Sequence, residues 1–209
     1  MAKSRPEDAQ QHMHQDTQQR CTACLTTPSA LTSCHAALDY DFPWDRCMAD
    51  FKFGDQPGLA QVLAPLMWHA PGIAPVLEQA DLVVPMPLSR ERLHRRGYNQ
   101  AHELGRALFQ QLHLDGHQGS RPCYSPHLLH RVRDTSEQSA LDAKARQANL
   151  FRAFQVLPAD LAQVRGLRVV VIDDIMTTGA SLQEAARALL QAGALSVAGV
   201  VLARTPAVS

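Results

Sequence analysis

The apolar residues of this chain fall into short runs with two distinct periods. From Gln56 to Trp68, Leu59, Val62, Leu63, Leu66 and Met67 recur at helical spacing, with Pro57 suited to a first turn and Pro71-Gly72 closing the run. Pro65 inside it is expected to bend or shorten that helix. Leu82-Val83-Val84 is a continuous apolar run stopped by Pro85-Met86-Pro87, which predicts a buried strand entering a constrained loop. A second helix is predicted over 99–113, with Ala101, Leu104, Ala107, Leu108 and Leu112 on one face. Residues 114–126 read as a connection, Leu128-Leu129 as part of a short strand, and 131–146 as a polar stretch without clean periodicity. The last third predicts a strand over Arg168–Ile172, a helix over Ser181–Gln191 stopped by Gly193, and a strand over Leu195–Leu202. Strands alternating with helices across short loops imply an α/β fold, a mainly parallel sheet flanked by helices.

The amino-terminal part behaves differently. Residues 1–20 are rich in Gln and His and lack periodic apolar positions, so they are expected to form a polar disordered tail. Residues 21–50 form a short cysteine-bearing segment that runs through Phe42-Pro43-Trp44, with a boundary expected near Asp50 and the main domain over 51–209.

Composition narrows the class without naming a function. With 209 residues, 45% apolar and 19% charged, the chain can fill one core with a small appendage. Twenty basic residues balance 20 acidic ones, so no global field selects nucleic acid or an anionic membrane. No run approaches a membrane span and the first twenty residues are polar, so no membrane insertion and a cytoplasmic location are expected. Positive charge is carried almost entirely by Arg, the only lysines being Lys3, Lys52 and Lys144.

The sharpest chemistry lies in Val169-Val170-Val171-Ile172-Asp173-Asp174-Ile175-Met176-Thr177-Thr178-Gly179-Ala180-Ser181. An apolar strand delivers two carboxylates at the sheet edge where α/β proteins bind ligands, and a hydroxyl-rich turn then opens a helix. Free amides at a helix start, Thr and Ser hydroxyls, and a Gly that permits close approach together suit a phosphate group. Two adjacent carboxylates suit diol hydroxyls or a Mg²⁺-bound sugar. An Asp-Asp pair alone also occurs as a helix cap; the contiguity of all these parts favours a phosphorylated sugar. Neither G-x-x-x-x-G-K-[ST] nor a strand-borne G-x-G-x-x-G occurs, which argues against an ATPase or a dinucleotide enzyme.

A second loop, Pro85-Met86-Pro87-Leu88-Ser89, leaves another strand and leads to Arg90, Arg92, Arg95 and Arg96, then Gly97-Tyr98-Asn99-Gln100. Guanidiniums bind phosphate oxygens bidentately, so this segment suits a pyrophosphate, although a solvated helix face accounts equally for any single Arg. A third block carries Arg131, Arg133, Thr135, Gln138 and Leu141, then Arg146, Asn149, Ala153 and Phe154.

Together the three blocks resemble the ComF family of phosphoribosyltransferase-like proteins over roughly residues 40–205. The resemblance implies a type I phosphoribosyltransferase fold with a short cysteine-containing amino-terminal segment. It implies that Asp173 and Asp174 hold the ribose hydroxyls of phosphoribosyl pyrophosphate, with Mg²⁺, and that Thr177, Thr178, Gly179, Ala180 and Ser181 hold its 5-phosphate. Pro85, Met86, Pro87, Leu88 and Ser89, with Arg95 or Arg96, would take the pyrophosphate, and Arg133, Thr135, Gln138, Arg146 and Asn149 would belong to a flexible loop or its support. The family usually begins with a small zinc module. A closed Zn²⁺ site needs four ligands; Cys21-x-x-Cys24 supplies two and Cys34 is the next candidate, leaving His35, Cys47, His12 or His14 for the fourth. Cys47 and Cys123 are otherwise expected as buried thiols.

Two functions follow from the resemblance. One is transfer of the phosphoribosyl group with release of pyrophosphate. The other is a non-catalytic adaptor in natural competence and DNA uptake that binds single-stranded DNA or a helicase partner.

Overall fold

The structure, a computed structural model, describes residues 29–114, 122–132 and 152–206. Residues 30–206 make one compact unit. Its elements are β1 (Cys34–Asp39), α1 (Trp44–Phe53), α2 (Leu59–His69), α3 (Ile73–Glu78), β2 (Leu82–Pro85), α4 (Arg90–Arg96), α5 (Gln100–Leu114), β3 (Cys123–Tyr124), β4 (Leu129–Arg131), β5 (Phe154–Val156), a 3₁₀ turn (Pro158–Gln163), β6 (Arg168–Met176), α6 (Ala180–Gln191) and β7 (Ser196–Arg204).

Five strands form a parallel sheet in the order β1-β7-β6-β2-β3, and β4 pairs with β5 in a separate antiparallel ribbon. The alternation along each central strand feeds two cores. Val83, Val170, Ile172, Val200 and Leu202 face α1, α2, α3 and α5, where Phe51, Leu63, Met67 and Leu104 are buried. Val84, Val169, Val171, Val197 and Val201 face α6 and the ribbon, where Leu182, Leu189 and Phe154 are buried. On the first side Gly105 lets the edge strand approach α5 closely, since a Cβ there would meet the Tyr124 hydroxyl at 2.8 Å.

The connections place the functional edge. β2 continues to β3 on one side, whereas β6 continues through α6 to β7 on the other, so their carboxyl ends diverge at a topological switch point. At the opposite end Asp81 ties the same two strands: its carboxylate accepts from the Arg168 amide at 2.8 Å and from Nε at 2.9 Å and Nη2 at 2.8 Å. That fork holds the Asp81 carboxyl down at about 2.

The α/β class, the parallel sheet and the principal helices and strands match the sequence reading. Three features differ. The boundary expected near Asp50 falls inside α1, and β1 is a full strand of the sheet, so the packed unit begins twenty residues earlier. β6 does not stop at Ile172; pairing with β7 carries it to Met176, so both carboxylates are strand residues. Cys123 is exposed on the edge strand and Cys47 is half-buried, not the fully buried thiols expected. Residues 1–20 lie outside the described residues.

Leu189 is fully buried between α6 and the sheet. Leu189→Ala should destabilise the fold by about 2–5 kcal/mol through the cavity it leaves. Urea unfolding should show a lower midpoint with an unchanged slope.

Candidate functional site

The two candidate loops emerge side by side because their strands are paired in register, Pro85 opposite Ile172, and the Met86 amide donates to the Ile172 carbonyl at 2.8 Å. The structure thus brings Pro85–Ser89 next to Asp173 and Asp174, two segments separated by more than eighty residues of chain.

Asp174 shares its strand parity with Val170 and Ile172 and meets α1 there: Lys52 Nζ lies 3.3 Å from Asp174 Oδ2. The pair is largely sheltered, with 19% of the Lys52 and 13% of the Asp174 side chain exposed. Oδ1 accepts from the Ile175 amide at 2.7 Å, while Oδ2 receives no hydrogen bond despite the nearby ammonium. That oxygen is buried, with the Lys52 ammonium as its charged neighbour. The Asp173 carboxylate accepts from the Asp174 amide at 2.9 Å. Burial, then the neighbouring Asp174 charge, pushes the Asp173 carboxyl well above the usual carboxylate range, and the Lys52 ammonium offsets part of this.

Beyond the strand, Thr177, Thr178 and Gly179 form the turn into α6. Gly179 has φ 74°, a left-handed conformation that glycine adopts without strain, and its carbonyl accepts from the Gln183 amide at 2.9 Å. Thr178 Oγ1 accepts weakly from the Ala180 amide at 3.4 Å. Among the described residues, the amides of Thr177, Thr178, Gly179, Ser181 and Leu182 have no acceptor. They point the positive end of a twelve-residue helix at the edge holding the carboxylates. Such a nest of unspent donors can seat a phosphate.

The Arg-rich segment is the helix α4. Ser89 is its buried N-cap, its Oγ accepting from the Arg92 amide at 3.3 Å, so the hydroxyl expected to face pyrophosphate also starts a helix. Arg90 and Arg95 are exposed. Arg96 is half-buried: Nη1 donates to Gln100 Oε1 at 3.1 Å and its guanidinium lies 5.3 Å from the centre of the Phe53 ring.

Gly97-Tyr98-Asn99-Gln100, quoted with the second loop and assigned no separate role there, braces the site. Gly97 ends α4 in the left-handed conformation. Tyr98 Oη and Gln100 Nε2 both donate to the carbonyl of Phe51, one residue before Lys52. Asn99 Nδ2 donates to the Met86 carbonyl at 3.0 Å, while its Oδ1 accepts from the Ala101 amide and starts α5. One tetrapeptide thus fixes the end of α1 and the loop after β2. The sequence reading assigns Lys52 no role, because no recognised motif contains it. Its rarity as a lysine and its place in Phe51-Lys52-Phe53-Gly54 were the available signals.

Arg133, Thr135, Gln138, Arg146 and Asn149 lie outside the described residues, as do Cys21 and Cys24. The chain on either side of 133–151 is held together, the Val132 amide donating to the Ala153 carbonyl at 2.8 Å and the Arg152 amide to the buried Glu184 carboxylate at 3.3 Å. Cys34 is in β1 with Sγ 3.6 Å from Met176 Sδ. Among the described residues no cluster of three His, Cys, Asp or Glu side chains forms, so Cys34 gathers no zinc partners there.

A phosphoribosyl transferase domain model matches residues 129–208, the stretch that carries the acid pair and the turn. The DNA utilization protein YhgH of Escherichia coli (strain K12) is 32% identical over 190 residues, covering 88% of this chain and 78% of that protein. Competence protein F of Haemophilus influenzae is 31% identical over 178 residues, covering 84% and 74%. The chain belongs to the ComF competence-protein family. Among solved structures, glutamine phosphoribosylpyrophosphate amidotransferase from B. subtilis overlaps with a TM-score of 0.37 and 20% identity, covering 70% of this chain and 26% of that one. This ComF protein thus carries a phosphoribosyltransferase-related α/β domain, and no helix among its described residues is long and apolar enough to cross a membrane.

Because the folded protein raises the Asp173 pKa, the stability this carboxyl contributes is full below its unfolded value of about 3.9 and is lost as pH rises through the folded value. Asp173→Asn should therefore raise stability at neutral pH by about 0.5–2 kcal/mol, the usual yield of relieving such a site. In urea unfolding at several pH values, the gain should shrink toward zero as pH approaches 4.

Proposed function

We propose that this chain is a DNA-handling protein of the competence type, built on a phosphoribosyltransferase scaffold whose cradle binds phosphoribosyl pyrophosphate with Mg²⁺. The DNA role is supported by what the relatives' names say of those proteins, DNA utilization and competence. The arginines of α4 supply cationic surface for a phosphate backbone.

One observation carries the ligand reading: two carboxylates and a nest of unspent amides meet at the switch-point edge of a parallel sheet. In this reading Thr177 to Ser181 anchor the 5-phosphate, and Asp173 and Asp174 hold the ribose hydroxyls. Carboxylates at this edge suit hydroxyl donors or a cation bound to the sugar, and Lys52 offsets the charge of Asp174. Mg²⁺ would neutralise pyrophosphate charge, with Pro85 to Ser89 and Arg95 positioning those oxygens.

A second reading, phosphoribosyl transfer, is favoured by the adjacency of the two loops. An acceptor nucleophile forms a bond to C1 as the C1–oxygen bond to pyrophosphate breaks, and the leaving electron pair stays on the pyrophosphate. The protein contributes positioning and charge stabilisation.

Calorimetry with phosphoribosyl pyrophosphate and Mg²⁺ tests the cradle without knowledge of an acceptor. The wild type should give a heat of binding, and Thr178→Ala and Asp173→Asn should each weaken it by about tenfold or more, the loss of one or two charge-assisted hydrogen bonds. Asp174→Asn should abolish sugar-phosphate binding yet leave DNA binding intact. Absence of heat in the wild type would remove the cradle reading and leave the DNA-binding scaffold.

A further inference from the structure

Most large apolar side chains of this fold are buried, but two phenyl rings flanking α1 are largely exposed. Phe42, just before the helix, and Phe53, its last residue, are each 69% exposed. Each has a guanidinium against it: Arg46 lies 5.5 Å from the centre of the Phe42 ring, and Arg96 lies 5.3 Å from that of Phe53. Arg46 and Phe53 are seven residues apart on α1, two helical turns, so they share one face. The strip continues onto α4, where Leu93, 44% exposed, sits one turn before Arg96, and Arg90 one turn before Leu93. Arg46, Arg90, Arg92, Arg95 and Arg96 supply the cationic groups of this strip, and Asp41, Asp45, Asp50, Asp55 and Glu91 are the acids near it in sequence.

The Phe53 end is rigid. Arg96 is pinned by Gln100, which is 1% exposed, and Gln100 and Tyr98 fix the Phe51 carbonyl at the end of the same helix. The helix between the rings has ten residues, about 15 Å, a span of roughly four stacked nucleotides. Exposed aromatic faces interleaved with guanidiniums are the pattern that binds single strands, because every base has a face to stack and every linkage a charge to neutralise.

We propose that Phe42 and Phe53, with Arg46, Arg90 and Arg96, form a stacking strip for single-stranded DNA that runs along α1 toward the mouth of the sugar-phosphate cradle. The proposal rests on the DNA-handling reading above and gives it a surface. Bases stack on the two rings, and phosphates lie along the arginines. Lys52, adjacent to Phe53, belongs to the cradle, so strand and sugar-phosphate sites meet at the carboxyl end of α1.

Fluorescence anisotropy with a labelled oligothymidylate, over a range of salt concentrations, tests this on the full chain. Phe42→Ala and Phe53→Ala should each weaken binding by about 5- to 100-fold, the measured range for one stacked base, without changing the salt slope. Phe53→Trp should retain affinity, and Arg90→Ala should lower the salt slope by about one. Val62→Ala removes a 65% exposed side chain from α2 and should change nothing. Wild-type affinity in both Phe→Ala variants, or equal loss in Val62→Ala, would overturn the strip and leave the DNA reading standing. A wild type that binds no strand at low salt would overturn both. Binding of a free nucleobase in place of the strand, lost in Phe53→Ala, would overturn the strip in favour of a small acceptor site.

Discussion

The architecture of the candidate site depends on the parallel pairing of β2 with β6. Four residues of β2 align with Val169 to Ile172, and the Met86 amide extends that ladder beyond the last paired residue. Because the chain leaves the two strands in opposite directions, this pairing alone sets a proline-rich loop beside two carboxylates and a helix start. Clamping occurs at both ends: the Asp81–Arg168 fork below, and the Asn99 amide gripping the Met86 carbonyl above. A slip of one residue would exchange the two faces of β2 and bury Val83 in the wrong core.

Around this pairing the protein concentrates groups that are unfavourable for folding alone. Asp173 is disfavoured as an anion by its surroundings, Asp174 keeps a buried oxygen without a hydrogen bond, and several amides at the start of α6 have no acceptor among the described residues. The sheltered carboxyl groups carry a desolvation cost, whereas the amides beside the exposed Thr177 and Thr178 can be met by water. Lys52 moderates the acid pair from a helix otherwise remote in sequence, and the Tyr98 and Gln100 bonds to the Phe51 carbonyl hold it in place.

The parts legible in the sequence are those whose residues are contiguous. The run from Val169 to Ser181 contains strand, acids, turn and helix start in one string, so its chemistry could be read without a fold. The parts that were not legible depend on partners far along the chain. Lys52 meets an acid 122 positions away, and β1, Cys34–Asp39, is a strand because β7 offers it a ladder, not because of its own modest apolar content. β6 runs through two aspartates, residues that ordinarily discourage strands, because pairing with β7 continues on their flank. α4 buries no side chain fully and thus shows no apolar period; only its caps, Ser89 and Gly97, marked it.

The outermost position of β1 has a practical consequence for anyone trimming this molecule. Thr32 and Tyr40 extend its pairing with β7 at either end, through amide bonds to the Val197 and Arg204 carbonyls. A shortened form starting at residue 51 would strip that cover and leave the nine-residue β7 as a bare, valine-rich border open to recruitment by other copies. Soluble fragments should begin no later than Ala30, where the Gln183 side chain accepts the chain's first described amide bond to α6.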